Sequence, residues 1–396
     1  MMSHPLDRVT CVRILHTSDW HLGRSFHGFP LLDHQRQVLE WMIDLTRSES
    51  VDLVLVAGDL YDRAIPPTEA IEIFEWAVTE LRGAGAQVIA IAGNHDSPVR
   101  VGQFEPLLSR LGVTVRGGAR DVGSPVEMQA SDGGPDLLVY ALPYLEPELA
   151  RHALGDEDAR THEAVLRRAL TLVASDRASR GSHRSLLVAH AFVSGGTVSE
   201  SERPLSIGGA GQVPASVLDG FDYAALGHLH RPQGCGDRIR YSGSPIAYSF
   251  SEHDHEKSVT ILDLRPDSVV ASETRTIPAP RRLARLQGGV QALLDDAALA
   301  WAESCWVEVT ITDEQPPLDP FQRLRTRFPH LASLIAAPPR SRAGRELLPV
   351  QMREGRTDLD LALEFVESIT GRPATDEERS ELEAALTHVH AAEATT

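Results

Sequence analysis

Five short strings in this chain carry side chains of the kind that bind divalent cations: Asp19-Trp20-His21, Gly58-Asp59-Leu60-Tyr61-Asp62, Gly93-Asn94-His95-Asp96, a lone His190, and Gly227-His228-Leu229-His230. Carboxylate, amide and imidazole ligands without a thiolate suit Mn²⁺, Fe²⁺ or Zn²⁺ better than Ca²⁺, and ligand softness does not choose among the first three. In an Asp-x-His turn the two side chains can converge on one ion. Asp59 can serve two, with one oxygen on each, at the separation of about 3.5–4 Å at which a pair of cations clamps both oxygens of an in-line displacement and lowers the pKa of a water between them. The glycines before Asp59, Asn94 and His228 give the backbone room to turn and approach the ions.

The expected assignment puts Asp19, His21, Asp59 and His230 on the first ion, and Asp59, Asn94, His190 and His228 on the second. His95 is left off both, next to a ligand, where it could stabilise developing charge or protonate a leaving oxygen. Asp96 is expected to orient its ring. Singly, an Asp-x-His, a Gly-Asp or a lone His is more often a loop or cap residue than a ligand. Their joint occurrence in one order carries the metal reading. His16, His27, His34, His253 and His255 lack such placement and are expected at the surface, while Trp20 and Tyr61 are expected to pack beside the site.

Each string starts where an apolar run ends. From Val12 to about Thr276, short apolar runs alternate with longer segments of helical period, the pattern of α/β layers. Strands are expected over 12–16, 53–57, 88–91, 137–141, 186–189, 223–226, 239–241 and 259–264, and amphipathic helices over 31–47 and 68–82, the second with Thr68 as its N-cap. In open α/β sheets, ligand sites gather beyond the carboxyl ends of the strands, so the five strings can share one cleft.

Around Pro278–Pro280 the chain changes character. The stretch from Arg281 to about Ala337 reads as strand, helix, strand, helix, strand, a small α+β domain whose clearest strand is 306–311. A Pro- and Arg-rich connector, 338–356, leads to two short helices. The first places Leu359, Leu363, Val366 and Ile369 on one face; the second has a Thr375/Glu378 capping box and a Leu382, Leu386, Val389 stripe, after Gly371-Arg372-Pro373. So small a pair cannot bury both stripes alone, and either its own domain or a partner must cover them.

With 396 residues, 42% hydrophobic and 24% charged, the chain suits one large domain with satellites and is neither disordered nor fibrous. The longest apolar runs, 51–57 and 87–92, are too short to span a membrane. Residues 1–10 do not resemble a signal peptide, and Cys11, Cys235 and Cys305 form no C-x-x-C pair, so a reducing cytoplasm is expected, without disulfides or a thiolate zinc site. A net charge of −18 runs against unaided binding to DNA phosphates, which divalent ions or a basic partner would have to offset. The basic residues are nearly all Arg and gather at 281–285 and 323–356, as nucleic-acid contacts or as a solvated face.

The order D-x-H, G-D-x-x-D, G-N-H-D, H, G-H-x-H resembles the calcineurin-like metallophosphoesterase superfamily. Gly93-Asn94-His95-Asp96-Ser97-Pro98, Tyr241-Ser242-Gly243-Ser244-Pro245 and Tyr248-Ser249-Phe250-Ser251-Glu252 are similar to its SbcD branch, the nuclease subunits of bacterial SbcCD exonucleases, over about Val12 to Leu264. That resemblance implies a four-layer αββα nuclease domain (12–277), a small α+β capping domain that helps hold DNA (281–345), and a C-terminal helical pair (355–392) that docks on SbcC, a coiled-coil ATPase. It also implies a homodimer and an ATP-regulated, Mn²⁺-dependent 3′–5′ exonuclease and endonuclease acting on double-strand ends, hairpins and single strands in DNA repair, recombination and replication. Position 62 departs from the pattern: it is Asp where some related nucleases place a histidine. Two other classes remain open, a phosphodiesterase for small substrates such as cyclic nucleotides, and a metal-free scaffold. The length beyond Leu264 speaks against the first, and the full set of ligand side chains against the second.

Overall fold

In the central strands the apolar runs are nearly continuous rather than alternating, as expected of strands covered on both faces. Every residue of Leu53–Val56, Leu137–Leu142, Arg184–His190 and Tyr223–Gly227 is buried. The computed structural model describes residues 12–128, 137–181, 183–202, 212–264, 270–337, 357–370 and 372–393.

The chain opens with β1 (Val12–Thr17), a two-rung hairpin of β2 (Ser25–Phe26) and β3 (Phe29–Pro30), and helix α1 (Leu32–Ser48). Then come β4 (Leu53–Val56), α2 (Thr68–Gly83), β5 (Gln87–Ile91), the short α3 (Pro98–Gly102) and α4 (Glu105–Leu108), and β6 (Val113–Arg116). A second run has β7 (Val126–Met128), β8 (Leu137–Leu142), α5 (Pro147–Ala153), α6 (His162–Arg180) and β9 (Arg184–His190). It continues with β10 (Tyr223–Gly227), β11 (Gln233–Gly234) and β12 (Ile239–Tyr241), and the chain returns to the first sheet with β13 (Ser258–Leu264) and β14 (Val270–Thr276).

Two six-stranded sheets result, in the orders β14-β13-β1-β4-β5-β6 and β11-β12-β10-β9-β8-β7. They stack on a core drawn from both, including Ile14, Leu55 and Ile89 of the first and Val139, Val188 and Ala225 of the second. Helices α1 and α2 cover the outer face of the first sheet with Val38, Met42, Ala70 and Ala77. Helices α5 and α6 cover the second with Ala150, Val165, Ala169 and Val173. The architecture is therefore four-layer αββα. The strands β1, β4, β5 and β6 run parallel, as do β8, β9, β10 and β12.

Two expectations need correction. Thr68 is not an N-cap: Pro67 holds that position, its carbonyl accepting from the Ala70 and Ile71 amides, and Thr68 is the first helical residue. His16 is not at the surface: it is fully buried between the sheets, with Nδ1 3.1 Å from the Tyr223 hydroxyl and Nε2 3.2 Å from the Leu226 carbonyl, and burial holds its pKa down at about 3. It ties β1 to β10 as a neutral ring just below the site.

The smaller domain has the expected order: β15 (Leu283–Gly288), α7 (Val290–Asp295), β16 (Trp306–Ile311), α8 (Pro320–Arg325) and β17 (Leu331–Ala336), in a parallel sheet ordered β15-β16-β17. Its core is its own, built from Val307, Val309, Leu324 and Phe328. Trp306 joins it to the large domain, with ring centroids 4.6 Å from Phe29 and 5.8 Å from Phe26.

A separate unit comprises α9 (Asp358–Thr370) and α10 (Asp376–Glu393). The capping box is formed: the Thr375 amide donates to Glu378 at 2.8 Å, and the Glu378 amide to Thr375 Oγ1 at 3.3 Å. Leu359, Leu363, Val366, Leu382 and Leu386 are only half-buried, as the small size of the pair requires. Cys11, the connector 338–356 and Gly371 lie outside the described residues, as do the side chains of Ile369 and Val389.

Candidate metal centre

All five strings meet where the parallel strands of the two sheets end. Asp19 and His21 follow β1, Asp59 follows β4, Asn94 and His95 follow β5, His190 closes β9, and His228 and His230 follow β10. The first-sheet loops are tied together by main-chain bonds: the Asp19 amide donates to Gly58 O at 3.0 Å, His21 to Asp59 O at 2.9 Å, and Leu22 to Leu60 O at 3.0 Å. Four candidate ligands, Asp19, His21, Asp59 and His228, have positive φ (53°, 44°, 47° and 109°). Such backbone costs on the order of 1–3 kcal/mol per residue and persists where the surroundings enforce it, characteristically at functional sites. Two glycines leave room for this packing: a Cβ at Gly58 would lie 2.1 Å from His190 Nδ1, and one at Gly93 would lie 2.1 Å from Asp59 Oδ1.

The ligand atoms converge in two groups around Asp59. Its Oδ2 is 3.5 Å from His21 Nε2 and 3.6 Å from His190 Nε2. On one side His21 Nε2 is 3.0 Å from His230 Nε2, with Asp19 in the same cluster. On the other, Asn94 Oδ1 is 2.9 Å from His190 Nε2 and 3.2 Å from His228 Nδ1. Among the described residues, every His, Asp, Glu or Cys cluster close enough to hold an ion draws on this set or on His95.

The electrostatics are those of a place short of positive charge. Burial, and then the neighbouring Asp59, push the Asp19 carboxyl well above its ordinary value. Burial first, and the crowding of neighbouring imidazoles after it, hold His21 and His228 well below theirs; burial also lowers His190 against the pull of Asp59. His190 Nδ1 sits 3.0 Å from the Ala57 carbonyl, which only accepts, so the ring proton is there and the Nε2 lone pair faces Asn94 Oδ1. Opposed lone pairs at hydrogen-bond distance, beside two buried carboxylates, are a donor set that fits a pair of borderline divalent cations.

His95 stands at the edge of both groups, its ring 4.6 Å from that of His21 and its amide donating to Asp59 Oδ1 at 2.9 Å. Its ring is not oriented by Asp96. The Asp96 carboxylate is taken by three backbone amides, Leu60 (3.0 Å), Tyr61 (2.9 Å) and Gly93 (2.8 Å), and so clamps the Asp59 and Asn94 loops together. His95 Nδ1 instead lies 2.8 Å from the main-chain carbonyl of Asp62, while the Asp62 carboxylate is 3.7 Å from Arg24 Nε. Position 62 therefore meets the site through its backbone. Trp20 is buried and packs with Tyr61 around Phe74.

Two supports escape a motif search. Gln35 of α1 is buried and its amide donates to the carbonyls of Trp20 (3.1 Å) and His21 (2.7 Å) while its oxygen accepts from Gly23 at 3.1 Å. Its signal in the sequence is a polar residue on the apolar face, in register with Val38, Leu39 and Met42. Glu202 accepts from the His230 amide at 2.7 Å and carries no comparable signal. Of the arginines expected to meet nucleic acid, Arg285 pairs with Glu308 (2.8 Å) and Arg327 with Glu303 (3.0 Å). Arg282 and Arg325 stack over Trp301 and Phe321, and the arginines from 340 on lie outside the described residues.

The calcineurin-like phosphoesterase family matches residues 12–232, and the Type 5 capsule protein repressor C-terminal domain, the SbcD C-terminal family, matches 279–370. The chain is 32% identical over 390 residues to the SbcD subunit of the nuclease SbcCD from Bacillus subtilis (strain 168), covering 94% of this chain and 96% of that protein. A crystal structure from Thermus thermophilus is similar at a TM-score of 0.38 and 14% identity, over 68% of this chain and 100% of that one. A dimetal phosphatase from Danio rerio is similar at a TM-score of 0.36 and 13% identity, over 67% and 99%.

Proposed function

This chain belongs to the calcineurin-like phosphoesterases and, within them, to the SbcD nuclease subunits, and from that premise we propose that it hydrolyses DNA phosphodiester bonds with a pair of divalent ions, most readily Mn²⁺. Asp19, His21, Asp59 and His230 would hold one ion, and Asp59, Asn94, His190 and His228 the other. When bound, the pair supplies Lewis-acid polarisation of the phosphoryl group and an activated water. His95, held by the Asp62 carbonyl, presents its other ring nitrogen to the leaving oxygen, and Asp96 is a positioning residue for the loops that carry Asp59 and Asn94. The single observation that carries this reading is Asp59 Oδ2, set 3.5 and 3.6 Å from imidazole nitrogens of the two ligand groups.

The substrates proposed are double-strand ends, cut 3′–5′, together with hairpins and single strands cut internally, in repair, recombination and replication in the nucleoid-associated cytoplasm. The capping domain helps hold DNA, and α9–α10 dock on an SbcC-like coiled-coil ATPase that also offsets the −18 charge of this chain. A homodimer is proposed as well, through the face around α3 and α4, where Val99, Phe104, Leu107 and Leu111 are 55–80% exposed. Mn²⁺-loaded protein should degrade linear duplex and cut single-stranded DNA, and His95→Ala should lower that rate about 10²–10⁴-fold while both ions still bind. DNA left intact by the unmodified protein, with no effect of His95→Ala, would end this reading. The acidic net charge favours one competitor, a phosphodiesterase for small substrates; turnover of a chromogenic phosphodiester well above turnover of DNA would install it instead.

A further inference from the structure

The chain has 38 Lys and Arg residues, and Lys257 is its one lysine. It is 8% exposed, and all three of its ammonium donors are used: on the His230 carbonyl (2.9 Å), on Ser244 Oγ (2.9 Å) and on Glu252 Oε2. These acceptors surround a point charge, a task for a compact ammonium rather than for the planar fork of an arginine, which every other basic position uses.

Glu252, 1% exposed, passes the contact on. Its Oε1 accepts from the Tyr248 amide at 3.2 Å and from Ser201 Oγ at 2.5 Å. The Ser201 hydroxyl has one hydrogen, and that carboxylate is its strongest acceptor; toward His230 Nδ1, 2.5 Å away, the oxygen can therefore only accept. The His230 ring proton must then sit on Nδ1, which leaves the Nε2 lone pair aimed at the His21 side of the centre. Arg24 Nη2 holds the Ser201 carbonyl at 2.9 Å and Glu202 holds the His230 amide at 2.7 Å, so segment 199–202 straps this histidine on two sides.

We propose that Lys257, Glu252 and Ser201 are positioning residues that act in series to fix the orientation and tautomer of His230, so that one ion of the pair depends on them and the other does not. This rests on the reading of the site as a two-ion centre. The hydrogen bonds of the series lead to His230 and not to the Asn94, His190 and His228 group, and that asymmetry makes the idea testable without an activity assay.

The test is a Mn²⁺ titration of the full chain by calorimetry, with low-temperature electron paramagnetic resonance to detect a coupled pair. Ser201→Ala and Lys257→Arg should each weaken one of the two ions about 10–100-fold, leave the other unchanged, and remove the coupled signal at Mn²⁺ levels that saturate the unmodified protein. Ser201→Thr, which keeps the hydroxyl, should restore both ions. Folded variants that bind both ions normally, that weaken both equally, or that Thr fails to rescue would overturn the proposal. If Lys257→Arg does not fold, the two Ser201 variants decide. An unmodified protein that takes up no pair of ions would instead sink the two-ion reading, and this inference with it.

Discussion

The two sheets furnish the site differently. The first contributes both carboxylates, the amide and one imidazole, His21, on loops bonded to one another by their own main chain and by Asp96. The second contributes only imidazoles, and these are held by groups from elsewhere in the chain: His228 by the Asp19 carboxylate through its amide at 3.0 Å, His230 by the Ser201 and Glu202 side chains, and His190 by the main-chain carbonyl of Ala57. The first sheet thus brings a self-supporting negative cradle, and the second brings neutral donors that become a site only once the sheets are stacked. Shared and unshared ligands should therefore behave differently on substitution.

The largest effect is expected at Asp59. Asp59→Asn should weaken both ions and lower the rate on DNA by at least about 10²–10³-fold, the usual cost of losing one well-placed electrostatic stabiliser. His190→Ala should release only one ion. If titration shows Asp59→Asn losing a single ion, the first sheet's carboxylate is not shared and the contrast between the sheets collapses.

Next in size is the clamp. Asp96→Ala leaves three buried amides without an acceptor and should cost about 3 kcal/mol in urea unfolding, at about 1–3 kcal/mol for each stranded group with partial relaxation. Glu202→Ala strands two part-buried amides, those of His230 and Ser199, on a segment freer to relax, and should cost less, about 1–2 kcal/mol. Equal losses would mean that the first-sheet loops do not depend on their own cross-bonding.

This contrast also explains what could be read in the sequence. The strand ends, the α/β layering, the strand-helix alternation of the small domain and the tail capping box all have local signatures, and four of the five ligand strings carry Gly or Asp residues that suit the turns they need, while the lone His190 closes β9. The supports of the second sheet have none. Ser201, Glu202 and Lys257 act across 27 to 51 residues, and nothing in local period or propensity marks a Ser or Glu as the outer partner of a histidine. Asp96 misled for a related reason: adjacency to His95 suggests a side-chain pair, whereas the turn points the carboxylate back at the amides of a loop 35 residues away. His16 misled because a polar residue in an apolar strand has no visible partner until the second sheet supplies Tyr223 and Leu226. Helix α6 has no single clean apolar stripe: Leu170 and Leu172, only partly buried, interrupt the buried set of Val165, Leu166, Ala169 and Val173.

The smallest effect concerns the sign of two pH dependences, measured by urea unfolding with chelator present. Burial alone would raise the Glu252 carboxyl, but Lys257, and His230 after it, hold it well below the usual 4.5. A depressed folded-state value means that its stabilisation is present above about pH 4.5 and is lost as the pH falls below it. Glu252→Gln should therefore be about 1–3 kcal/mol less stable than the unmodified protein at pH 7, with a gap that closes on acidification. Asp19, on the first sheet, is shifted the other way by burial and by Asp59, so its ionised form works against the ion-free fold at neutral pH. Asp19→Asn should be the more stable protein under those conditions, and its advantage should fade as the pH falls toward the ordinary value of 3.8. Saturating Mn²⁺ should reverse the Asp19 comparison, because the ligand then stabilises the fold only where it binds. If the stability of the unmodified protein relative to each variant moved in the same direction with pH, the carboxylates of the site and of its outer support would lie in one environment, and the separation between cradle and strap would fail.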